Sequence, residues 1–384
     1  MQIQQLRYAS GQWSDGVDDA VSHEGFQLVL TFGERAVLAD GAYLADLQKR
    51  FPGARVVSCS SGGSILGAAA VDDGAVATAV RFTSGSVHVV EDRLDGTHDS
   101  HAAGQRIAAK LPTDGLRHIF LVSEGLAVNG SALVCGINDT VPDGVTVSGG
   151  LAGDGDRFVS TLVGLDAVPR EGGLVAVGLY GDLTVSTGSF GGWEAFGPDR
   201  TITRSSGNVL YELDGRPVLE LYRELLGPLG YALPASGLLF PLKIRANDDK
   251  AGLVRTILCT DEKAGSVTFA GDVPEGWSAR LVRTNLDELI RAAGVAAQRS
   301  GRIAPLSRPS LALAVSCIGR KMLLQQRVSE ELQRVQEVLG PDAQLAGFYS
   351  YGELASAEGT TPCELHNQTM TLTVISEGAE VMRS

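Results

Sequence analysis

Nine apolar runs, in three groups of three, organise the chain. The first member of each group is nearly continuous in β-branched and other apolar residues and ends near a glycine: FQLVLTFG (26–33), HIFLVSEG (118–125) and LALAVSCIG (311–319). Runs of this length and composition suit strands buried on both faces. After a segment with helical spacing comes a second run that enters a glycine-containing loop: ARVVSCSSGGSI (54–65), GVTVSGGLAGDG (144–155) and QLAGFYSYGEL (344–354). A third run closes each group: AVATAVRF (75–82), FVSTLVGL (158–165) and TMTLTVIS (369–376). The spacing fits strand–helix–strand units, which need about 30 residues or more. The first two runs of each unit are therefore predicted to be parallel neighbours joined by a right-handed crossover. The third is predicted to pair antiparallel. The fold class is α/β, of mixed α+β character: two domains built from repeated strand–helix–strand units, with mixed sheets flanked by helices.

Helical spacing is clear over 42–51 and over 320–339, where Gly340 and Pro341 stop the helix. A helix around 127–138 is interrupted by Gly130 and Gly136. Between the second and third units, residues 207–227 read as strand, Asp-Gly turn and helix with Pro217 in its first turn. Segments 238–245, 253–260 and 266–283 read as antiparallel strands, 285–300 as a helix capped by Asn285, and 301–310 as a loop. A domain boundary is expected near 200–206. It divides the chain into an N-terminal segment 1–25, domains 26–205 and 206–376, and a tail 377–384.

Composition narrows the function. Among 384 residues, 48 are glycines, nearly twice the usual share of about 7%. They lie within apolar runs, so they mark turns and close backbone approaches rather than a linker. The net charge of −13 and the lack of a basic patch argue against nucleic acid or an anionic membrane as partner. Five widely spaced cysteines with no CxxC argue against a disulfide framework or structural zinc. No run is long enough for a membrane span and the start lacks signal-peptide character, so a cytoplasmic location is expected.

Loops at the carboxyl ends of parallel strands are where open α/β sheets bind ligands. In the last unit the predicted topology gathers Cys317, Arg320, Tyr349, Tyr351, Glu353, His366, Asn367 and Thr369 at one end of a sheet. An arginine fork can take a carboxylate and a glutamate can take an ammonium, so Arg320 and Glu353 suit a small zwitterion. The glycine-rich loops CSSGGS and SGGLAGDG nominate Ser60, Gly62, Gly149 and Gly150 as secondary anion-binding positions, although neither loop is a P-loop. Cys317 with His366 and Asn367 supplies the residue types of a Cys/His/Asn arrangement, in no protease order or spacing, and Glu353 with His366 could serve as acid–base groups, but binding is favoured over catalysis by a Cys317/His366/Glu353 site. His98 and His101, beside Asp95 and Asp99, read as a solvated polar loop, so no metal site is expected.

The stretches VVSCSSGGSI, VSGGLAGDG, VLYELDGRPVLELYRELLG, CIGRKMLL, GFYSYGEL and LHNQTMTLTV stand in an order and spacing that resemble the FIST family. The resemblance covers about 26–375 and comprises an N-terminal and a C-terminal FIST domain. It implies a sensory protein for small ligands such as amino acids. For some members it implies haem binding and nitric-oxide sensing through a partner histidine kinase, with His366 the candidate haem ligand here. Other members are fused to signalling output modules or an F-box; no kinase, methyl-accepting, cyclase or F-box segment is read in this sequence, so a stand-alone protein that signals through a separate partner is expected, with a homodimer compatible with that arrangement.

Overall fold

The structure is a computed structural model and describes residues 1–15, 23–246, 252–301, 310–356 and 362–378. Three six-stranded sheets repeat one plan. At the centre of each lies a parallel pair: Leu28–Gly33 with Arg55–Ser60, Leu116–Ser123 with Thr146–Leu151, and Ser310–Cys317 with Ala343–Ser350. Beside the first strand of each pair runs a later, antiparallel strand: Ala75–Arg81, Gly173–Gly181 or Met370–Glu377. An earlier strand covers that one in turn: Gln2–Ala9, Gly85–Arg93 or Leu183–Phe190. The parallel pairs and their antiparallel partners in the first and third units lie where the apolar runs predict them.

The second unit differs from expectation. Of the run 158–165, Val163–Leu165 alone is strand, and it pairs with Arg55–Ser60 of the first sheet. The preceding residues cannot join a ladder because the backbone N–H groups of Phe158, Val159 and Ser160 donate to the Asp154 carboxylate. Gly173–Gly181 takes the vacant place in the second sheet. The expected helix 320–339 is two helices, Ile318–Leu324 and Val328–Leu339, separated where Gln325 adopts φ 49°. Residues 1–25, read as a bare leading segment, include a hairpin, Gln2–Ala9 with Gln12–Asp15, that extends the first sheet. Residues 302–309 of the expected loop and 379–384 of the expected tail lie outside the described residues.

The segment after each second strand leaves its own sheet for another. Ser64–Leu66 pairs with Ala343–Ser350 of the third sheet, Val163–Leu165 with Arg55–Ser60 of the first, and Gly352–Ser356 with Thr146–Leu151 of the second. Where the three crossings meet, equivalent backbone bonds close a ring. Gly62 donates to Tyr349 at 2.8 Å, Tyr351 to Leu151 at 3.1 Å and Gly153 to Ser60 at 2.9 Å. In every case the donor stands two residues beyond its own unit's acceptor. Inner faces of all three sheets share one apolar cluster, in which Phe32 of the first stacks on Phe348 of the third at 4.7 Å.

A fourth sheet with its own core, formed by residues such as Ile202, Tyr222, Phe269 and Leu281, is inserted into the third unit. It leaves after Leu183–Phe190 and returns at helix Leu286–Ser300, whose cap is Asn285, as expected. The boundary expected near 200–206 thus falls within strand Glu194–Ser206 of this insert. Strands from both sides of it pair in the second and third sheets, so the two halves of the chain do not fold as separate sheets.

Two second strands carry a glycine that the close approach requires. Gly149 (φ 148°) and Gly347 (φ 150°) sit so near their parallel neighbours that an added Cβ would lie 1.9 Å from the Leu121 carbonyl oxygen and 1.8 Å from that of Ala314. Replacing Gly347 by alanine is expected to cost about 3 kcal/mol or more, through overpacking plus backbone strain. Urea unfolding checks this; a loss below about 1 kcal/mol would contradict the close contact.

Candidate functional site

The residues nominated in the last unit separate into three groups. The first is a buried ionic network. Arg320 donates from Nε and Nη2 to the Glu331 carboxylate (3.2 and 2.9 Å), from Nη1 to the Gly191 carbonyl (3.1 Å) and from Nη2 to the Leu289 carbonyl (2.8 Å). Ser316 and Tyr349 donate their hydroxyls to the same Glu331. Arg320 and Glu331 are both fully buried. Gly191 lies where the chain departs for the inserted sheet and Leu289 where it has returned, so Arg320 ties the neck of the insert. The expectation that Arg320 offers its fork to a ligand carboxylate does not match this geometry, because those donors already serve protein acceptors. Removing one partner of such a pair strands a buried charge at a cost of about 3–5 kcal/mol.

The second group surrounds Glu353. Its carboxyl accepts from the Ser350 hydroxyl (2.8 Å), the Thr369 hydroxyl (2.9 Å) and the Thr369 backbone N–H (3.1 Å). Burial nonetheless pushes it up to about 7. Cys317 stands at the N-cap position of helix Ile318–Leu324 without a side-chain cap bond, and its thiol is pushed well up by burial, with Glu353 adding to the effect, so it is a thiol at neutral pH and a poor nucleophile. His366 stands opposite Glu353 on the neighbouring strand. Burial, and then the charge of Arg255, pull it down to about 4. Asn367 donates its side-chain amide to the His366 carbonyl and accepts a long bond from the Thr256 N–H of the inserted sheet.

The third group is Tyr351. Its hydroxyl donates to Asp154 of the second unit, and its ring stacks on Phe158 at 4.5 Å. Burial opposes ionisation of Asp154, but the Tyr351 hydroxyl and three backbone N–H groups hold its carboxyl below the usual range. The nominated anion positions are likewise occupied by the fold. Gly149 and Gly150 lie within strand Thr146–Leu151, between two partner strands, rather than in a loop. The Ser60 hydroxyl accepts from Leu162, and Gly62 belongs to the central ring.

Tyr351 also borders a cavity of about 320 Å³ between the second sheet and the inserted sheet. One wall is the loop from strand Leu116–Ser123 to helix Gly130–Asn138: Gly125, Leu126, Val128, Asn129 and Gly130. Buried Glu124 shapes that loop by accepting from the N–H groups of Leu126 and Ala127 and from the Thr161 hydroxyl. The opposite wall, on the insert, includes Asn208, Leu258, Phe269 and Asp272. Asn129 spans the seam: its amide donates to Asp272 at 3.1 Å while its oxygen caps the helix through the Ala132 N–H. Arg255 of the insert donates to the carbonyls of Leu365 and Asp272, locking the sheet onto strand Cys363–His366. The cavity lies at the carboxyl end of the parallel pair of the second unit, not of the third. The signal in the sequence was SEGLAVNG, a strand end running into an Asn-capped helix, which Gly130 and Gly136 masked.

These walls do not fit a haem. They include no histidine, cysteine or methionine, His366 is not among them, and the Tyr351 hydroxyl is engaged by Asp154.

Family models match the chain as a FIST N domain over 27–216 and a FIST C domain over 219–356. The chain belongs to the FIST family. FIST domains are associated with the sensing of small ligands in signal transduction. Among relatives, Uncharacterized protein Rv0628c of Mycobacterium tuberculosis is 27% identical over 230 residues, 58% of this chain and 59% of that protein. Uncharacterized protein Mb0898c of Mycobacterium bovis is 26% identical over 244 residues, 62% of each. The chain therefore spans about three-fifths of the curated relatives it matches. No helix among the described residues of this FIST protein is long and apolar enough to cross a membrane.

Burial of Glu353 has a thermodynamic consequence. A carboxyl whose pKa is higher folded than unfolded stabilises the protein fully below about 4, and that contribution is lost as pH rises through about 7. Glu353→Gln imitates the neutral acid and removes the effect. Its unfolding free energy minus that of the wild type should rise by about 1–3 kcal/mol between pH 4.5 and 7.5, measured by urea titration at each pH. A flat difference would contradict the buried, proton-holding carboxyl.

Proposed function

We propose that this FIST protein is a sensor that holds a small ligand in the cavity between its second sheet and its inserted sheet and signals through a separate partner. One observation carries the proposal: a cavity of about 320 Å³ lies at the carboxyl end of a parallel strand pair, on a seam between two separately cored parts of the molecule. Volumes of this order suit small metabolites. The walls suit an amino-acid-like zwitterion. Asp272 offers a carboxylate to an ammonium, and Gly130 brings the positive end of helix Gly130–Asn138 to a ligand carboxylate. Leu126, Leu151, Phe269 and the Tyr351 ring supply apolar surface for a side chain. Because the insert forms one wall, occupancy would favour one seating of the insert over others, which is how a binding event becomes a signal.

The test is a thermal-shift screen of amino acids and related carboxylates on protein shown by mass spectrometry to be free of copurified ligand. At 100 times Kd a ligand adds about 2.7 kcal/mol, a shift of several degrees. Leu258, which is half-exposed on the cavity wall, can be enlarged without disturbing a core. Leu258→Trp should abolish the shift while leaving the ligand-free Tm within about 2 °C. No shift with any compound, or an undiminished shift in Leu258→Trp, would overturn the proposal.

A further inference from the structure

Two helices of the second unit, Ser100–Ala109 and Gly130–Asn138, cross with their backbones in contact. Glycine makes the contact on both sides. A Cβ at Gly104 would lie 2.2 Å from the Leu133 carbonyl oxygen, and one at Gly136 would lie 2.0 Å from that of His101. Gly136, which in the sequence interrupts a helix, thus sits where His101 of the other helix must approach. Cys135 and, four residues on, Asp139 at the C-cap of the second helix lie on one side of it beside that crossing. The potential ligand atoms of His101, Cys135 and Asp139 all lie within 4.8 Å of one another. His101 Nε2 already stands 2.9 Å from Asp139 Oδ2.

We propose that His101, Cys135 and Asp139 form a binding site for a divalent transition metal of the zinc type. Bonds of about 2.0–2.3 Å around a tetrahedral ion place neighbouring ligand atoms roughly 3.3–3.7 Å apart. The His–Asp separation is close to that value, and rotation of exposed side chains closes the rest. The Cys135 side chain is exposed, and those of His101 and Asp139 are 44% and 51% exposed, so an ion can reach all three. One thiolate, one imidazole and one carboxylate favour zinc over magnesium or calcium, and three protein ligands leave the fourth position to water. On binding, the Cys135 thiol proton passes to solvent. The same helices meet the ligand cavity at other points. Thr97, just before the first, and Asn129 and Gly130, at the start of the second, border it, and the Asn129 N–H donates to the Ser100 hydroxyl at 2.9 Å. The ion would therefore clamp the crossing that supports one cavity wall, whether or not the cavity takes the ligand proposed above.

Cobalt titration of the full chain, stripped with chelator and kept reduced, tests the site directly. The expected result is a thiolate-to-cobalt charge-transfer band with the intense visible bands of tetrahedral cobalt, displaced by zinc. Cys135→Ser should remove the charge-transfer band, and His101→Ala and Asp139→Ala should each weaken cobalt binding at least tenfold. Cys259→Ser, which alters another exposed cysteine, should leave binding within twofold of wild type. The positions are exposed, and circular dichroism confirms that each variant is folded. The proposal is overturned if no charge-transfer band forms, if the band survives in Cys135→Ser, or if His101→Ala and Asp139→Ala bind cobalt as the wild type does.

Discussion

Three backbone hydrogen bonds at the centre of the molecule decide how everything else is arranged. Gly62 to Tyr349, Tyr351 to Leu151 and Gly153 to Ser60 form a closed ring in which each unit both gives and receives. A chain that makes these bonds must carry each crossing segment out of its own sheet and add it to the edge of another. No sheet then has its full complement of strands from its own unit. Two of the ring donors are glycines where space is short: a Cβ on Gly62 would lie 2.6 Å from Ile318, and one on Gly153 would lie 3.0 Å from the Gly62 nitrogen. The three units thereby become one cooperative body, although their sequences read as a simple repeat.

The inserted sheet is attached to this body at two places with different physics. At the neck, Arg320 and Glu331 form a buried, fully hydrogen-bonded pair that holds both the departing and the returning chain. At the seam with the second sheet the contacts are polar and flank a cavity: Asn129 to Asp272, Arg255 to the Leu365 carbonyl and the Thr256 N–H to Asn367. The sensing role proposed above asks the seam to have two seatings of similar free energy, since a small ligand can shift only an equilibrium whose states lie within a few kcal/mol.

Much of this was legible in the sequence, for identifiable reasons. Strands buried on both faces leave long apolar runs, so the parallel pairs and the Asn285-capped helix could be read directly. The crossing segments could not. Ser64–Leu66 and Gly352–Ser356 are short, and nothing local says that a strand pairs with another unit. Of the polar residues nominated in the last unit, Cys317 and Tyr349 lie at the carboxyl end of its own parallel pair, whereas Glu353 and His366 lie on strands that belong to the second sheet. What each one bonds to was not legible, because Arg320 meets Glu331 eleven residues away on the next helix and Leu289 across the insert. A sequence shows that an arginine and a carboxylate are available; topology decides whether they serve a ligand or each other. The cavity was missed because its walls come from segments far apart in the chain.

Native-state hydrogen exchange in sub-denaturing urea tests the central claim most directly. If the ring makes the three units cooperative, the amide protons of Gly62, Gly153 and Tyr351 exchange only through global unfolding, with one shared free energy and one shared dependence on urea. Exchange of any one of the three at a free energy lower by about 2 kcal/mol or more, with a smaller urea dependence, would show that a unit opens alone and would contradict the account.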